Sequence, residues 1–228
     1  MNALLILGID TSGHTASAAI CDEKTVLAQT SVVTKLTHSQ IILPMCREIM
    51  SQANVGFEDI GCIAAAKGPG SYTGLRIGIG AVKGICFANG CKCAGISTLE
   101  SLAYNFRGLK AELCCVMHAR QELVYNANFS IDGYKITRLC EDRIIPAAQL
   151  AEELKSTSGV YAVGDFAEEF CGKYAENIIP APPQLAVQQA ASLCFAAFDG
   201  EFITAEELNP DYMQITKAEK DLIAKNKK

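Results

Sequence analysis

The chain has 228 residues, a formal net charge of −5 and hydrophobic residues at 50% of its positions. This length is enough for a sizeable hydrophobic core and favours two subdomains over one. The acidic balance argues against a protein that holds nucleic acid on its own. No apolar run reaches the roughly 18 residues of a membrane span, and the first ten residues lack the basic start of a signal peptide.

The eleven cysteines are many for a chain of this length. Most lie inside apolar runs, as Cys62, Cys86 and Cys114 do, where a thiol behaves as a small hydrophobic side chain. No C-x-x-C pair occurs, so the sequence gives little support for zinc or redox chemistry. We therefore expect reduced thiols and a cytoplasmic protein.

The first half of the chain predicts an α/β unit in the order βββαβαβα. Capping-box patterns at residues 37–40 and 97–100 each open a predicted helix. The expected strands are residues 4–9, 15–21, 26–33, 62–66 and 92–96. The expected helices are residues 39–52, 74–88 and 98–106.

We place the boundary between an N-terminal subdomain, residues 1–107, and a C-terminal subdomain, residues 108–228, at the Arg107-Gly108 pair. The second part predicts strands at residues 112–117, 122–131, 134–140 and 160–163. Its predicted helices are residues 146–156, 166–173 and 184–198. Basic residues cluster only at the end, as is typical of a solvated tail, at Lys217, Lys220, Lys225, Lys227 and Lys228.

The helix predicted at 74–88 carries glycines at positions 74, 78, 80 and 84. Two pairs are four residues apart, so we expect them to line one helical face and to leave it almost without side chains. A glycine in a helix interior costs roughly 0.5–1 kcal/mol relative to alanine, so we expect a compensating close contact. Either a recognition surface or a tight crossing inside the chain would supply it.

Residues 10–13 follow the first predicted strand, where an aspartate with nearby hydroxyl and N–H groups can hold a metal–phosphate group. The glycine loop at 68–74 could add N–H groups at a helix N-terminus, although it lacks the P-loop and G-x-G-x-x-G patterns. A polar turn and ordinary helix capping explain the same residues without a ligand. The candidate nucleotide-facing residues are Asp10, Thr11, Ser12, Gly68, Gly70 and Thr73.

Patterns for metal binding and hydrolysis are weak. His14, His38 and His118 are far apart and form no H-x-x-x-H pair. The sequence around Ser71 lacks the second glycine of a nucleophile elbow. Arg120 follows a predicted strand and could pair with a phosphate, but a structural ion pair explains it equally well.

Blocks at residues 9–12, 38–44 and 67–78, followed by segments at 97–103, 119–125 and 164–165, resemble the TsaB (YeaZ) family of tRNA threonylcarbamoyladenosine biosynthesis proteins. The glycine block KGPGSYTGLRIG is the specific part, and the resemblance covers essentially the whole chain. It implies an α/β ASKHA (actin-like ATPase, ribonuclease H-like) fold. That fold has two related subdomains, each with a mixed sheet and flanking helices.

The resemblance also implies a role in placing a threonylcarbamoyl group on the adenosine beside the anticodon of tRNA. In that system a TsaD-type paralogue carries the metal and a TsaE-type protein supplies an ATPase. The paralogue's H-x-E-x-H motif is missing, since Thr98 and Leu102 stand at its histidine positions when Glu100 is aligned with its glutamate. We therefore expect a subunit that is not itself an enzyme. We also expect no metal and no tightly bound cofactor, with ATP or ADP bound only within the complex.

Family resemblance further implies that the two long helices of the first subdomain pair with the TsaD-type paralogue, or with a second copy of the chain. Transfer RNA would be reached only through the complex, and no membrane is involved. A bulky residue at Gly78 should then block assembly while the monomer stays folded. The implied interface residues are His38, Ile41, Ile42, Met45, Ile49, Gly74, Arg76, Gly78, Val82 and Gly84.

Two other functions remain open. One is a nucleotide-dependent ASKHA enzyme acting through Asp10 and the loop at 68–74. The other is a metal-dependent peptidase of the M22 glycoprotease type. Binding of ATP with Mg²⁺ by the chain alone would favour the first, and stoichiometric iron or zinc would favour the second.

Overall fold

The computed structural model describes residues 3–33 and 35–213. The predicted basic tail, which begins at Lys217, lies outside the described residues. Within the described part of the chain, no helix has the length and apolar character needed to cross a bilayer. All eleven cysteines are free thiols, and only Cys91 and Cys140 are partly exposed.

Five strands form the first sheet: β1 (Leu5–Asp10), β2 (Thr15–Cys21), β3 (Val26–Val33), β4 (Ile60–Gly68) and β5 (Lys92–Ser97). Their order is β3-β2-β1-β4-β5, with β2 antiparallel to both neighbours and β4 parallel to β1 and β5. The helices of this half are α1 (His38–Ala53), α2 (Tyr72–Asn89) and α3 (Thr98–Tyr104), with a short 3₁₀ helix at Phe57–Asp59. The predicted elements of the first half are thus all present.

The second sheet is built from β6 (Leu109–His118), β7 (Leu123–Gly133), β8 (Lys135–Arg138), β10 (Val160–Val163) and β11 (Ile179–Pro180), with β9 (Arg143–Pro146) paired to β7. Its helices are α4 (Ala147–Leu154), α5 (Ala167–Lys173), α6 (Pro183–Ala186) and α7 (Ala190–Phe198). The strands β9 and β11, which have four and two residues, have no counterpart among the predicted elements.

Both sheets have the same topology. In the second, β7 is antiparallel to β6 and β8, whereas β10 is parallel to β6 and β11. Read from β8, its order β8-β7-β6-β10-β11 repeats the order β3-β2-β1-β4-β5 of the first. The chain therefore contains two related subdomains, and the predicted ASKHA fold is confirmed.

The helix predicted at 184–198 is broken into α6 and α7, which corrects that prediction. The side-chain amide of Asn105 donates to the carbonyls of Leu185 and Val187 at 2.8 and 2.9 Å. The Ala190 N–H donates to Ser17 Oγ at 3.0 Å. Because these partners replace helical hydrogen bonds, the chain can change direction between the two pieces.

The C-terminal part of the described chain returns to the first sheet. Helix α7 packs on β1 and β2. Beyond it, Ile203 exchanges two backbone hydrogen bonds with Cys93 of β5, at 2.7 and 3.0 Å. Ala205 and Leu208 are buried in the core that α1 and α2 cover. The division at residue 107 stays a prediction, since segments from both halves build the first core.

Polar side chains cap the helices that point toward the junction of the subdomains. Ser71 Oγ accepts the Gly74 N–H at the start of α2, and Ser97 Oγ accepts the Glu100 N–H at the start of α3, both at 3.2 Å. The carboxylate of Glu100 pairs with Arg138 at 3.2 Å.

Candidate functional site

A cavity of about 450 Å³ lies between the two subdomains. The β1–β2 turn and the N-terminal ends of α1 and α2 form one wall, and the ends of β6 and β10 form the other. Two long helices thus direct their N-termini toward it, which favours a polar or negatively charged occupant. The lining includes Ser12, Gly13, His14, Thr37, His38, Gly70, Ser71, Thr73, His118 and Asp165.

Asp10 lies at the end of β1 and is fully buried. Its Oδ1 accepts hydrogen bonds from the backbone N–H of Ser12 at 2.8 Å and from Ser12 Oγ at 2.6 Å. Its Oδ2 is buried and has no hydrogen-bond partner among the described residues. Burial raises the pKa of this carboxyl above its ordinary value of 3.8, although the hydrogen bonds from Ser12 oppose the shift.

The glycine loop is tied directly to the β1–β2 turn. The Ser71 N–H donates to the Ser12 carbonyl at 2.7 Å, and the hydroxyl of Thr11 donates to the Gly74 carbonyl at 2.7 Å. Of the predicted nucleotide-facing residues, Ser12, Gly70 and Thr73 line the cavity. Thr11 lies buried beneath it. Gly68 is not among its described lining residues; it lies against the backbone of residue 211, with φ near +131°.

The four glycines of α2 divide into an inner and an outer pair. A Cβ at Gly74 or Gly78 would come closer than 3.0 Å to Thr11. A Cβ at Gly80 or Gly84 would meet no atom of the described residues within 4 Å. The tight crossing of α2 with Thr11 therefore accounts for the inner pair, Gly74 and Gly78. No contact among the described residues accounts for the outer pair, Gly80 and Gly84.

This division corrects part of the interface predicted from the resemblance. Six of the predicted positions are buried, because they lie on the inner faces of α1 and α2 that pack on the first sheet. They are positions 42, 45 and 49 of α1, and position 82 and both inner glycines of α2. A bulky residue at Gly78 would therefore unfold the crossing with Thr11 rather than only block assembly. The corrected positions are Ile42, Met45, Ile49, Gly74, Gly78 and Val82.

The remaining predicted interface positions reach the surface. Gly84 and Arg76 are exposed, and His38 and Ile41 are partly exposed. Arg76 donates to the Tyr72 hydroxyl at 2.9 Å. On the same outer side of α2, Phe87 is 61% exposed, which is high for a large apolar side chain.

All three histidines of the chain line the same cavity. His14 lies in the β1–β2 turn, His38 begins α1, and His118 ends β6. One ring nitrogen of His38 lies 2.9 Å from the Gly13 carbonyl, while its Nδ1 is buried without a partner among the described residues. Sequence spacing could not reveal this convergence. The signal that the sequence offered is that each histidine stands at the start or the end of a predicted strand or helix.

Asp165 supplies the carboxylate of the opposite wall. Its Oδ1 accepts the backbone N–H of His118 at 3.0 Å. Burial raises the pKa of this carboxyl, and the hydrogen bond from His118 and the nearby His14 oppose the shift. Despite this gathering of side chains, no group of three or more His, Cys, Asp or Glu among the described residues could hold a metal ion.

At the positions of the paralogue's metal histidines, Thr98 and Leu102 are both fully buried in α3. Between them, Glu100 pairs with Arg138, which also contacts Asp142. A guanidinium therefore neutralises the carboxylate at this corner. Neither a hydroxyl nor an isobutyl group can replace an imidazole ligand.

A nucleotide implied by the fold finds only a partial match in the cleft. The unpartnered Oδ2 of Asp10 and two helix N-termini are features that a phosphate–metal group would use. However, no lysine or arginine is among the described residues that line the cavity, and the Thr11 hydroxyl is already bonded to Gly74. The described residues therefore fit a nucleotide only in part.

Sequence and structure comparisons agree on the family. The sequence model described as TsaD, tRNA N6-adenosine threonylcarbamoyltransferase, matches residues 27–226. TsaB of Bacillus subtilis, a tRNA threonylcarbamoyladenosine biosynthesis protein, is 26% identical over 98% of this chain and 100% of its own length. TsaB of Escherichia coli is 33% identical over 56% of this chain and 55% of its own.

Among solved structures, YeaZ from Pseudomonas aeruginosa superposes with a TM-score of 0.75 at 26% identity, covering 93% of this chain and all of that one. The fold and the order of its elements are therefore shared along nearly the full length. We conclude that the chain belongs to the TsaD family and, within it, resembles TsaB (YeaZ) over almost its entire length.

Proposed function

We propose that this chain is a non-catalytic subunit of the complex that forms N6-threonylcarbamoyladenosine in tRNA. It would bind a TsaD-type paralogue and hold it in its active state, while the paralogue supplies the metal chemistry. A TsaE-type ATPase and the tRNA would meet this chain within that complex. The relatives named for this biosynthesis support the role, and the outer glycine pair of α2 supports the way it is performed.

The outer face of α2 carries the proposal. Gly80, Gly84 and Ala88 follow one another at four-residue spacing, so they lie on one side of the helix. The two glycines cost helix stability, and no contact among the described residues requires them. A second helix packed closely against this bare backbone would account for them. An interface of roughly 800 Å² per partner is ordinary for a stable pair.

The two positions that align with the paralogue's metal histidines support a non-catalytic role, because neither of them carries an imidazole. Thr98 and Leu102 cannot bind a metal as histidine does, and the ion pair between Glu100 and Arg138 occupies the intervening carboxylate. In this proposal, the corner is a structural joint between α3 and the second sheet.

Light scattering after size exclusion tests the association directly. The chain is mixed with the H-x-x-x-H paralogue from the same organism, and the mass of the product is measured. Gly84→Arg should abolish the heterodimer, because a long charged side chain then stands between the two helices. Gly172→Arg is the matched control, since Gly172 is also a helical glycine whose Cβ would meet no atom of the described residues within 4 Å.

Arginine has a higher helix propensity than the glycine that it replaces, so both variants should keep a folded monomer. A heterodimer with the parent chain and with Gly172→Arg, but not with Gly84→Arg, is the expected result. No heterodimer with the parent chain, even with nucleotide and the ATPase present, would refute the proposal. Normal assembly of Gly84→Arg would refute the assigned surface.

Nucleotide binding in the cleft is the second candidate, favoured by the unpartnered Oδ2 of Asp10. Isothermal titration of the chain alone with ATP and Mg²⁺ distinguishes the two candidates. We expect no heat of binding from the isolated chain. Saturable binding that Asp10→Asn abolishes would establish a nucleotide site of its own.

A further inference from the structure

Two of the eleven cysteines lie in direct contact at the end of α2. The S–H group of Cys91 donates to Cys86 Sγ, and the two sulfurs are 3.6 Å apart. The C-x-x-C spacing that marks redox pairs in sequences does not include these two residues, so the sequence could not reveal them. At this distance the sulfurs are in van der Waals contact, and small rotations of both side chains would bring them to bonding geometry.

The C-terminal cap of α2 creates this contact. Gly90 follows the last helical residue in the left-handed conformation, with φ near +69°, and its N–H donates to the Cys86 carbonyl at 2.8 Å. A cap of this kind turns the chain back, so that the next residue lies against the last turn of the helix. Cys91 is that residue, and β5 begins immediately after it at Lys92. The contact between the thiols is therefore built into the turn between α2 and β5.

The two thiols differ in their access to solvent. Cys91 is partly exposed and lies between residues 87–90 and Lys92, all of which are exposed. Cys86 is only 2% exposed. Burial, and then the neighbouring Cys91, raise the pKa of the Cys86 thiol above its ordinary value of 9.0. A small reagent can therefore reach Cys91, whereas Cys86 reacts most readily with the sulfur that already touches it.

The other cysteines are placed differently. Cys140 is the one further thiol that is partly exposed, and its sulfur accepts a backbone N–H rather than a thiol proton. Cys62 and Cys93 lie near the contacting pair, but both are fully buried. No group of three or more His, Cys, Asp or Glu among the described residues is arranged to hold a metal ion. The pair at the end of α2 thus combines contact between sulfurs with access for a reagent.

We propose that Cys86 and Cys91 form a reversible redox-active dithiol whose co-substrate is a low-molecular-weight disulfide, R–S–S–R. The Cys91 thiolate attacks one sulfur of R–S–S–R, forms a mixed disulfide and releases one RS⁻ group. The Cys86 thiolate then attacks Cys91 Sγ, forms the Cys86–Cys91 disulfide and releases the second RS⁻ group. The protein loses two electrons and two thiol protons, and R–S–S–R is reduced to two RSH molecules.

The bond should be easy to reverse. It closes a loop of only a few residues, so it constrains the unfolded chain little and adds little stability. A weakly stabilising disulfide with one partly exposed sulfur is reduced more readily than a buried structural one. While it lasts, it would tie the last turn of α2 to the start of β5. The inference goes beyond the proposed function and does not depend on it, because the thiols are measured on the chain alone.

Oxidised glutathione is the probe for this reaction. The folded, fully reduced chain is incubated with it, the remaining thiols are alkylated, and the products are mapped by mass spectrometry after chymotryptic cleavage at Phe87. We expect the thiols of Cys86 and Cys91 to be lost together, with the peptides on either side of Phe87 joined by a disulfide. Dithiothreitol should restore both thiols.

Three serine variants assign the roles. In Cys91→Ser, the thiol of Cys86 should be modified at least about tenfold more slowly than in the parent, because the reagent cannot reach it. Cys86→Ser should keep one glutathione on Cys91, since the resolving thiol is gone. Cys140→Ser is the matched control; it removes the other partly exposed thiol and should leave the Cys86–Cys91 disulfide unchanged. Melting temperatures establish that each variant is folded.

Mapping of the parent chain decides the proposal even where a variant fails to fold. A Cys91 that does not react, or that keeps a stable glutathione without a bond to Cys86, would overturn it. So would a bond from Cys86 to Cys93, or a Cys86–Cys91 bond that forms only after the chain is unfolded in urea.

Discussion

Thr11 lies so close to the first two turns of α2 that a Cβ at Gly74 would collide with its backbone oxygen. Gly78 faces the side chain of the same residue. Six residues beyond Gly78, a Cβ at Gly84 would meet no atom of the described residues within 4 Å. At the scale of single residues, identical glycines on one helix thus differ entirely in what they allow. The four-residue spacing predicted one helical face with almost no side chains, but it could not predict that Gly74 and Gly78 are internal and Gly80 and Gly84 are not.

Alanine at these positions gives opposite outcomes. Gly74→Ala should lower the free energy of unfolding by about 1–3 kcal/mol, because the backbone of Thr11 has to move. Gly84→Ala should raise it by roughly 0.5–1 kcal/mol, since helix propensity improves and nothing is displaced. Urea unfolding of the two variants measures both. Equal effects of the same sign would show that the crossing at Thr11 is not tight.

The buried carboxyl of Asp10 predicts a distinct pH dependence of stability. Its pKa is raised in the folded chain above the ordinary value of 3.8. In the window above 3.8, the folded state binds more protons than the unfolded state, so this group lowers stability as pH rises. Asp10→Asn removes that titration. The variant should gain stability relative to the parent as pH rises from about 4 to about 8.

Melting temperatures of the parent and of Asp10→Asn across that pH range test the prediction. Below the ordinary pKa both side chains are neutral, so the difference between the two proteins should be smallest there. A difference that does not change with pH would show that Asp10 is not held in a strongly desolvated site.

At the scale of elements, hydrophobic periodicity located α1, α2 and the strands of the first half to within a few residues. It could not locate the break between α6 and α7. That break depends on Asn105 and Ser17, which are distant in sequence and supply hydrogen bonds from outside the helix. The strands β9 and β11 were also missed, because two to four residues are too few to show a period.

The segment after α7 contains no long element, yet it is part of the first core. Leu208 is 1% exposed and belongs to the buried cluster that also contains residues of α1, α2 and β4. Leu208→Ala should therefore lower the free energy of unfolding by about 2–5 kcal/mol. Leu139→Ala, at a position that is 56% exposed, should change it by less than about 0.5 kcal/mol. Similar effects in both variants would show that the segment is not packed as described.

At the scale of the whole molecule, the chain is one topology used twice, with a cavity at the junction of the two copies. The order of predicted strands was similar in the two halves, but no sequence repeat was visible. Duplication became clear only from the register of the sheets. Asp10, by contrast, could be identified from the sequence, because it stands at the end of the first predicted strand. The meeting of His14, His38 and His118 required the three-dimensional arrangement.

We propose that this chain supports the transfer reaction without performing it. Threonylcarbamoylation of tRNA by the H-x-x-x-H paralogue and the ATPase should be measured with and without this chain. Product should form only when both the paralogue and this chain are present, and Gly84→Arg should abolish it while Gly172→Arg does not. Product formed by this chain without the paralogue, or full activity of the paralogue without this chain, would contradict the account.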